Sequence, residues 1–223
     1  MSAPRTHVVP TGALSQQAAD WMADALQTTL AAQPRASLAL SGGSTPGPAY
    51  RALATRVLPW ERVDIYFVDE RFVPPDHAES NYRLVEDTLL RPLQLAPSQV
   101  FRMEGEREDR DDAARDYAAR LPAVLDVVLL GMGDDGHTAS LFPGHAALEE
   151  HEQRVLAVVG PKPPPWRLTL TLPVLQAARQ VLTLVSGAGK RDTVRRALAG
   201  DSSLPVARVT NTEWMLDPAA AGR

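Results

Sequence analysis

The chain has 223 residues, 44% of them hydrophobic and 22% charged, enough apolar material for one large α/β core or at most two small ones; a single domain over 1–223 is expected. A formal net charge of −4 gives no long-range attraction for nucleic acid or anionic lipid, so neither is an expected partner and any anionic ligand must be held by a local cluster of donors. The absence of cysteine excludes a disulfide framework, a thiolate nucleophile and a cysteine-ligated zinc.

The opening residues MSAPRTHVVPTGAL lack the apolar core of a signal peptide, and no later run approaches the ~20 apolar residues of a membrane helix. A cytoplasmic protein with no membrane partner is therefore expected. Helical and strand signals then alternate, the pattern of a parallel sheet covered on both faces. Ser15 is expected to cap a helix that carries Ala18, Trp21, Met22, Ala25, Leu26 and Leu30 at helical spacing and ends before Pro34. ASLAL (36–40) reads as a strand leading into SGGSTP and a helix through Tyr50 and Leu53. VDIYFV (63–68) reads as the next strand, with DER (69–71) at its end before the Pro74-Pro75 turn. Residues 81–90 read as helix, 99–102 as a short strand, and 109–120 as an exposed helix braced by i,i+4 ion pairs. DVVLLG (126–131) reads as the central buried strand. VLAVV, RLTLTL, VLTLVSG and PVARV read as later strands, with an amphipathic helix over 190–198 between the last two. The proline cluster PKPPPW (161–166) is either a PxxP ligand or, more simply, a stiff loop that fixes Arg167. The expected fold is a three-layer α/β/α domain with a mainly parallel, Rossmann-like open sheet.

SGGSTP, DER and the stretch LLGMGDDGHTASLFPG (129–144) each follow the carboxyl end of a predicted strand, the edge at which open parallel sheets bind ligands. In SGGSTP, Gly42 and Gly43 allow a tight turn and Pro46 suits a first helical turn, leaving backbone N–H groups and the hydroxyls of Ser41, Ser44 and Thr45 to face outward as a phosphate cradle. A plain strand-to-helix turn is the rival reading. No G-K-[ST] follows, so this is not a nucleoside triphosphate loop. Gly131, Gly133 and Gly136 match the G-x-G-x-x-G spacing of a dinucleotide cradle, but Asp134 and Asp135 would place negative charge where a pyrophosphate must sit, and Pro143-Gly144 ends the next segment within two helical turns. The glycines, with Asp135 among them, are expected instead to present His137 at the ligand edge. Metal binding by Asp134, Asp135, His137, His145 and His151 is a second rival, though they form no recognised ligand spacing and no metal is assigned. His7, His77, His145 and His151 read most simply as surface residues.

SGGSTP, VDERFVP followed by SNY, GMGDDGHTASLFPG, KPPPWRLTLTLPVL and GAGKRD together resemble the 6-phosphogluconolactonase family, from Leu38 to about Asp192 and in the family's order. Glucosamine-6-phosphate deaminases share the wider superfamily; DER in place of a typical DEY, and GHTASLFPG in place of a GHIAFNEP-like run, favour the lactonases. Trp166 is the least typical residue within the matching motifs. The resemblance implies hydrolysis of 6-phospho-D-glucono-1,5-lactone to 6-phosphogluconate in the oxidative pentose phosphate route, with a small sugar-phosphate lactone as partner and no cofactor. An imidazole of ordinary basicity is largely neutral at pH 7, so His137 can take a proton from water and return it to the departing ring oxygen. The resemblance assigns the phosphate to the Ser41–Thr45 loop, Arg167 and Lys190, and both cations stand in fitting contexts: one opens a strand, the other opens a helix beside the GAG turn. Arg71 is expected to contact the lactone oxygens or to neutralise Asp69 and Glu70. Asp69 joins the catalytic group with its role open between proton handling, orienting Arg71 and orienting a water. Amides at Gly42-Gly43 or Gly133 are candidate oxyanion donors. The alternatives are a glucosamine-6-phosphate deaminase and a sensor without chemistry. The oligomeric state is not set by these residues, and a monomer is the simplest expectation.

Overall fold

The computed structural model describes residues 4–223. In chain order its elements are β1 (Thr6–Val8), α1 (Leu14–Ala32), β2 (Ala36–Leu40), α2 (Pro46–Leu53), β3 (Val63–Phe67), β4 (Asp69–Arg71), α3 (Asn81–Val85), a π-helical segment at Glu86–Leu90 running into α4 (Arg91–Leu93), α5 (Arg110–Arg120), β5 (Val127–Leu130), β6 (Val155–Val159), β7 (Trp166–Leu170), α6 (Leu172–Ala177), β8 (Gln180–Val185), α7 (Arg191–Leu198), β9 (Thr212–Leu216) and α8 (Pro218–Ala221).

Six strands form one wholly parallel sheet in the order β1-β9-β8-β5-β2-β3. A strand covered on both faces has no polar side, and accordingly every residue of β2 and β5 is buried. On α1, steps of four residues bring Ala18, Met22, Leu26 and Leu30 to the inner face, where all are buried. β2 and β5 are neighbours whose chains part: β2 continues to β3 on one side and β5 to β8 on the other. Parting crossovers leave a crevice at the carboxyl ends of the two strands. Ser41, just past β2, ties them together there, its hydroxyl donating to Leu129 O at 2.7 Å while its own carbonyl accepts from the buried Tyr50 hydroxyl at 2.6 Å.

A second, three-stranded antiparallel sheet has the order β4-β7-β6. Val68 joins the two sheets: its N–H donates to Leu40 O at 3.0 Å and its carbonyl accepts from Leu170 N–H at 2.8 Å. The mainly parallel α/β architecture is thus as the alternating sequence predicts, with several local differences. DER is not a loop but a strand of the small sheet, and VLAVV and RLTLTL pair antiparallel within that sheet. Ser15 is not a cap: a 3-10 turn at Thr11–Ala13 feeds α1 directly, which leaves Ala13 at the cap position and Ser15 inside the first turn. PVARV forms a 3-10 turn at Pro205–Arg208, opened by a proline that has no N–H to give a ladder, and the last strand lies beyond it at Thr212–Leu216. Residues 99–102 contribute only one bridge, Val100 to Ile65. The helix α5 is braced toward the loop before it, by Arg107–Asp116 and by Arg120–Glu104 at 3.8 Å, and its internal pair Asp112–Arg115 is spaced i,i+3 rather than i,i+4.

The buried Tyr117 hydroxyl satisfies both backbone groups of Phe67, accepting from its N–H at 2.8 Å and donating to its carbonyl at 3.0 Å. Tyr117→Phe leaves both buried groups unpaired and is expected to cost about 1–3 kcal/mol, read as a lower urea midpoint at unchanged slope. A midpoint equal to that of the parent protein would show that Phe67 finds other partners.

Candidate active site

The loops after β2, β5 and β8 and the strands β4 and β7 meet around a cleft of about 320 Å³, within the range of small-ligand sites. Of the residues singled out from sequence, Ser41, Gly42, Gly43, Ser44, Thr45, Asp69, Arg71, Gly131, Gly133, His137, Arg167 and Lys190 line it, whereas Asp135 and Gly136 stand behind the lining. The structure therefore brings together three loops and two strands, β4 and β7, that lie far apart in the chain.

His137 is presented by a tight turn. Gly136 N–H donates to Gly133 O at 3.0 Å, Gly133 N–H donates to His137 O at 2.9 Å, and Gly136 adopts φ +82°, a conformation that glycine takes without strain. Gly133 is needed for space, because a Cβ there would lie 2.0 Å from the imidazole Cε1 and Nδ1. With its N–H already committed to His137, Gly133 is not a free oxyanion donor. Asp135 Oδ1 sits 2.5 Å from His137 Nδ1 and also accepts the His137 backbone N–H at 3.1 Å. A carboxylate only accepts, so Nδ1 carries the hydrogen and Nε2 keeps a free lone pair. Burial opposes ionisation of Asp135, but the bonds and charge of His137 outweigh it and hold the carboxyl below its usual range. The Phe142 ring, its centroid 4.9 Å from that of the imidazole, backs the assembly.

The Ser41–Thr45 loop departs from expectation at two hydroxyls. Ser41 turns inward to Leu129 O and Thr45 Oγ1 meets Ser186 Oγ at 3.1 Å, which leaves the exposed Ser44 to face outward. Gly43 has φ +107° and Gly42 makes room for Asn81, whose Oδ1 would lie 1.7 Å from an added Cβ. Among the described residues, no backbone carbonyl accepts from the N–H groups of Gly42, Gly43 or Ser44, so this turn offers unpaired donors at the start of α2.

Three cations line the cleft. Arg71 and Arg167 are directly opposed in the β4–β7 register, and like charges so placed repel. Burial first, then the Arg71 charge, lowers the affinity of the Arg167 guanidinium for its proton. Arg167 is 8% exposed; its Nε donates to Pro164 O at 2.8 Å and its Nη2 to Lys162 O at 3.4 Å, so the proline loop does orient it. Arg71 does not neutralise Asp69 or Glu70 as expected. Its guanidinium turns to Glu79, bonding the carbonyl and pairing with the carboxylate at 3.6 Å, while its Nε is buried without a partner. Lys190 Nζ donates to Met132 O at 2.9 Å and pairs with Asp134 at 2.6 Å, a contact that holds the Asp134 carboxyl below its usual range.

Asp69 is buried and oriented by neutral groups rather than by Arg71, accepting from Ser140 Oγ at 2.6 Å and Asn81 Nδ2 at 3.1 Å. Asn81 and Ser186 are contributors that sequence reasoning missed, and Ser140, within the motif that carries His137, had no role assigned; the SNY run after DER was the signal for Asn81, and only packing reveals Ser186 and the bond from Ser140 to Asp69. Burial pushes the Glu70 carboxyl up, against bonds from the N–H groups of Asn81, Tyr82 and Arg71 and from the Ser80 hydroxyl. Its neighbours show why: Glu70 fastens the start of α3 to β4 and so fixes Asn81. The residues weighed as metal ligands separate, Asp134 going to Lys190, Asp135 to His137 and His145 to the N–H of Ala147, and His7 pairs with Glu213 in the β1–β9 edge. Among the described residues, no group of three or more His, Cys, Asp or Glu is placed to hold a metal ion.

The family model described as glucosamine-6-phosphate isomerases/6-phosphogluconolactonase matches residues 10–216. A 6-phosphogluconolactonase of Rattus norvegicus is 43% identical over 207 residues, which cover 84% of this chain and 80% of that protein. One of Mycobacterium leprae is 39% identical over 223 residues, covering 91% and 90% respectively. Among solved structures, a 6-phosphogluconolactonase from Shewanella baltica is similar with a TM-score of 0.88 at 31% identity, covering 96% of this chain and 97% of that one.

The Asp135–His137 contact has a direct readout in pH. The Asp135 side-chain carboxyl carbon is expected to titrate by NMR with a midpoint below the ordinary 3.8. Since the folded value is the lower one, the stability this carboxylate contributes is present above the unfolded value and is lost as pH falls through the folded value. A midpoint at or above 3.8 would mean that the ring is not held through Nδ1.

Proposed function

The chain belongs to the glucosamine-6-phosphate isomerase/6-phosphogluconolactonase family, and from that premise we infer that it hydrolyses 6-phospho-D-glucono-1,5-lactone to 6-phosphogluconate, the lactonase step of the oxidative pentose phosphate route. The observation that carries this reading is an imidazole fixed at Nδ1 by Asp135, with Nε2 left unpaired beside a cleft lined by three cations.

Each part of the site then has work to do. A cyclic ester needs a nucleophilic water, a donor for the oxyanion that forms on the carbonyl, and a proton for the departing ring oxygen. His137 Nε2 takes a proton from water as the water oxygen bonds to C1. The tetrahedral intermediate collapses with cleavage of the bond from C1 to the ring oxygen, and the imidazolium returns the proton to that oxygen. Asp135 holds the ring in the reactive tautomer and balances the transient imidazolium charge. Arg71 and the unpaired amides of Gly42 and Gly43 are the donors we assign to the oxyanion and lactone oxygens. Asp69, oriented by Ser140 and Asn81, is assigned to accept from a sugar hydroxyl or from the attacking water.

The phosphate carries a charge of about −1.5 to −2 at pH 7. We assign it to the Ser44 and Thr45 end of the loop, Arg167 and Lys190. Arg167 presents a planar fork, and Lys190 stands at the start of α7, where the helix dipole also favours an anion. Lys190 is paired with Asp134, so substrate must compete with that carboxylate for it. Gripping the far end of a small molecule turns binding energy into orientation of C1, and cradle changes therefore affect kcat as well as KM. In this reading the enzyme is a single domain that needs no cofactor and no nucleic acid; net charge −4 and a small polar cleft support that. No helix among the described residues is long and apolar enough to cross a membrane, and we place the enzyme in the cytoplasm as a monomer.

His137→Ala is expected to lower kcat for the lactone by about 10²–10⁴-fold above the spontaneous background; equal rates for the two proteins would remove the assigned base, and ammonia release from glucosamine 6-phosphate would move the enzyme to the deaminases. Arg167→Ala removes charge-assisted bonds worth about 1.5–3 kcal/mol, so kcat/KM is expected to fall by about 10- to 100-fold with KM raised. Unchanged steady-state constants would place the phosphate elsewhere.

A further inference from the structure

Arg167 is held by the loop before it, and that loop is held from outside the cleft. Because Arg167 donates to the carbonyls of Pro164 and Lys162, any displacement of the loop displaces the guanidinium. Trp166, the first residue of β7 and 37% exposed, lies under the guanidinium of Arg110, whose central carbon is 4.4 Å from the indole centroid and 5.5 Å from that of Phe72. Phe72 N–H in turn donates to Trp166 O at 3.0 Å. One stack thus links α5, the end of β4 and the proline loop.

The position of Arg110 argues that the stack is its purpose. It is the first residue of α5, where a cation opposes the helix dipole and where Asp111 and Asp112 supply the favourable sign. Its Nε is buried with no hydrogen-bond partner among the described residues. Neither helix stability nor hydrogen bonding accounts for a guanidinium there, whereas a cation over an indole face is attractive. Arg110 does not line the cleft, so it acts at one remove from substrate.

We propose that Arg110 and Trp166 form a clamp that sets the proline loop and thereby aims Arg167 at the substrate phosphate, which makes Arg110 a positioning residue of the reaction. The inference rests on the assignment of Arg167 to the phosphate.

The experiment uses the full-length enzyme with the phosphorylated lactone as substrate and inorganic phosphate as competitive inhibitor, and compares Arg110→Ala, Trp166→Ala, Trp166→Phe and Arg167→Ala. A clamp predicts that KM and the phosphate inhibition constant rise together by about three- to tenfold in Arg110→Ala and Trp166→Ala. Trp166→Phe, which keeps a ring under the guanidinium, is expected to stay within about twofold of the parent. The unfolding midpoint of Arg110→Ala is expected to change little, since loss of the cation–π contact is offset by removal of a cation that opposes the dipole. If Arg167→Ala raises the phosphate constant and Arg110→Ala does not, the clamp is wrong while the phosphate assignment stands. If neither variant raises it, both are wrong. A lower midpoint in Arg110→Ala with the phosphate constant unmoved would make the stack a purely structural contact and overturn the proposal.

Discussion

The parallel pairing of β2 with β5 is the constraint on which the cleft depends. Two neighbouring parallel strands whose crossovers leave in opposite directions must open a gap at their carboxyl ends, and whatever follows each strand is delivered to that gap. Here the deliveries are the SGGSTP turn and the loop bearing His137. The Ser41 hydroxyl on Leu129 O fastens the rims together, and the buried Tyr50 hydroxyl holds the same serine from below. A serine that was expected to face the ligand is used instead to set the width of the gap. Its amide neighbours, with no backbone acceptors of their own, are what remain to meet an anion.

The small antiparallel sheet contributes the opposite kind of feature, a local arrangement that costs stability. Arg71 and Arg167 face each other across β4 and β7, Arg71 Nε is buried with no partner among the described residues, and beside the sheet, in the segment after β5, Ala139, a non-glycine residue, is held at φ 48° between Thr138 and Ser140. Left-handed backbone at such a residue costs of order 1–3 kcal/mol and persists only where its surroundings overdetermine it. Those surroundings are present: Thr138 Oγ1 donates to Gly131 O, and Ser140 is fixed through both its N–H and its hydroxyl. Several unfavourable local choices meeting at the edge of the cleft are what a site selected for binding charge should look like.

What could be read from sequence follows from which interactions are local. The alternation of strand and helix, Pro46 at the start of α2, and the placement of polar motifs at strand ends depend on near neighbours and were legible. The separate small sheet was not, because DER and RLTLTL reveal their partnership only through a register across about a hundred residues of chain. PVARV shows the same limit. Its apolar alternation suits a strand, but Pro205 and the bond from Val206 N–H to Gly136 O make it a buttress for the His137 loop. At the site, residue types with chemical reach such as His137, Arg167 and Lys190 stood out, while Asn81, Ser140 and Ser186 act through contacts that only the folded geometry reveals. Charge pairings were the least legible, since Arg71 had nearby carboxylates at 69 and 70 and chose Glu79.

The glycine spacing that imitates a dinucleotide cradle has a different physical origin here. In a dinucleotide loop, a missing Cβ admits a pyrophosphate to the backbone. At Gly133 the missing Cβ admits the protein's own imidazole, and at Gly42 it admits the amide of Asn81. Both vacancies are filled by side chains that the cleft needs in one place only, and a methyl group at either would displace that side chain before it disturbed the fold. Glycine therefore serves at these positions as a socket for a functional group, and the third glycine, at φ +82°, serves the turn and the packing of Leu204 against it. The same letters in the same spacing thus encode two unlike structures, and the acidic residues between them decide which: Asp135 is compatible with a histidine that must be held through Nδ1 and incompatible with a pyrophosphate in the same loop.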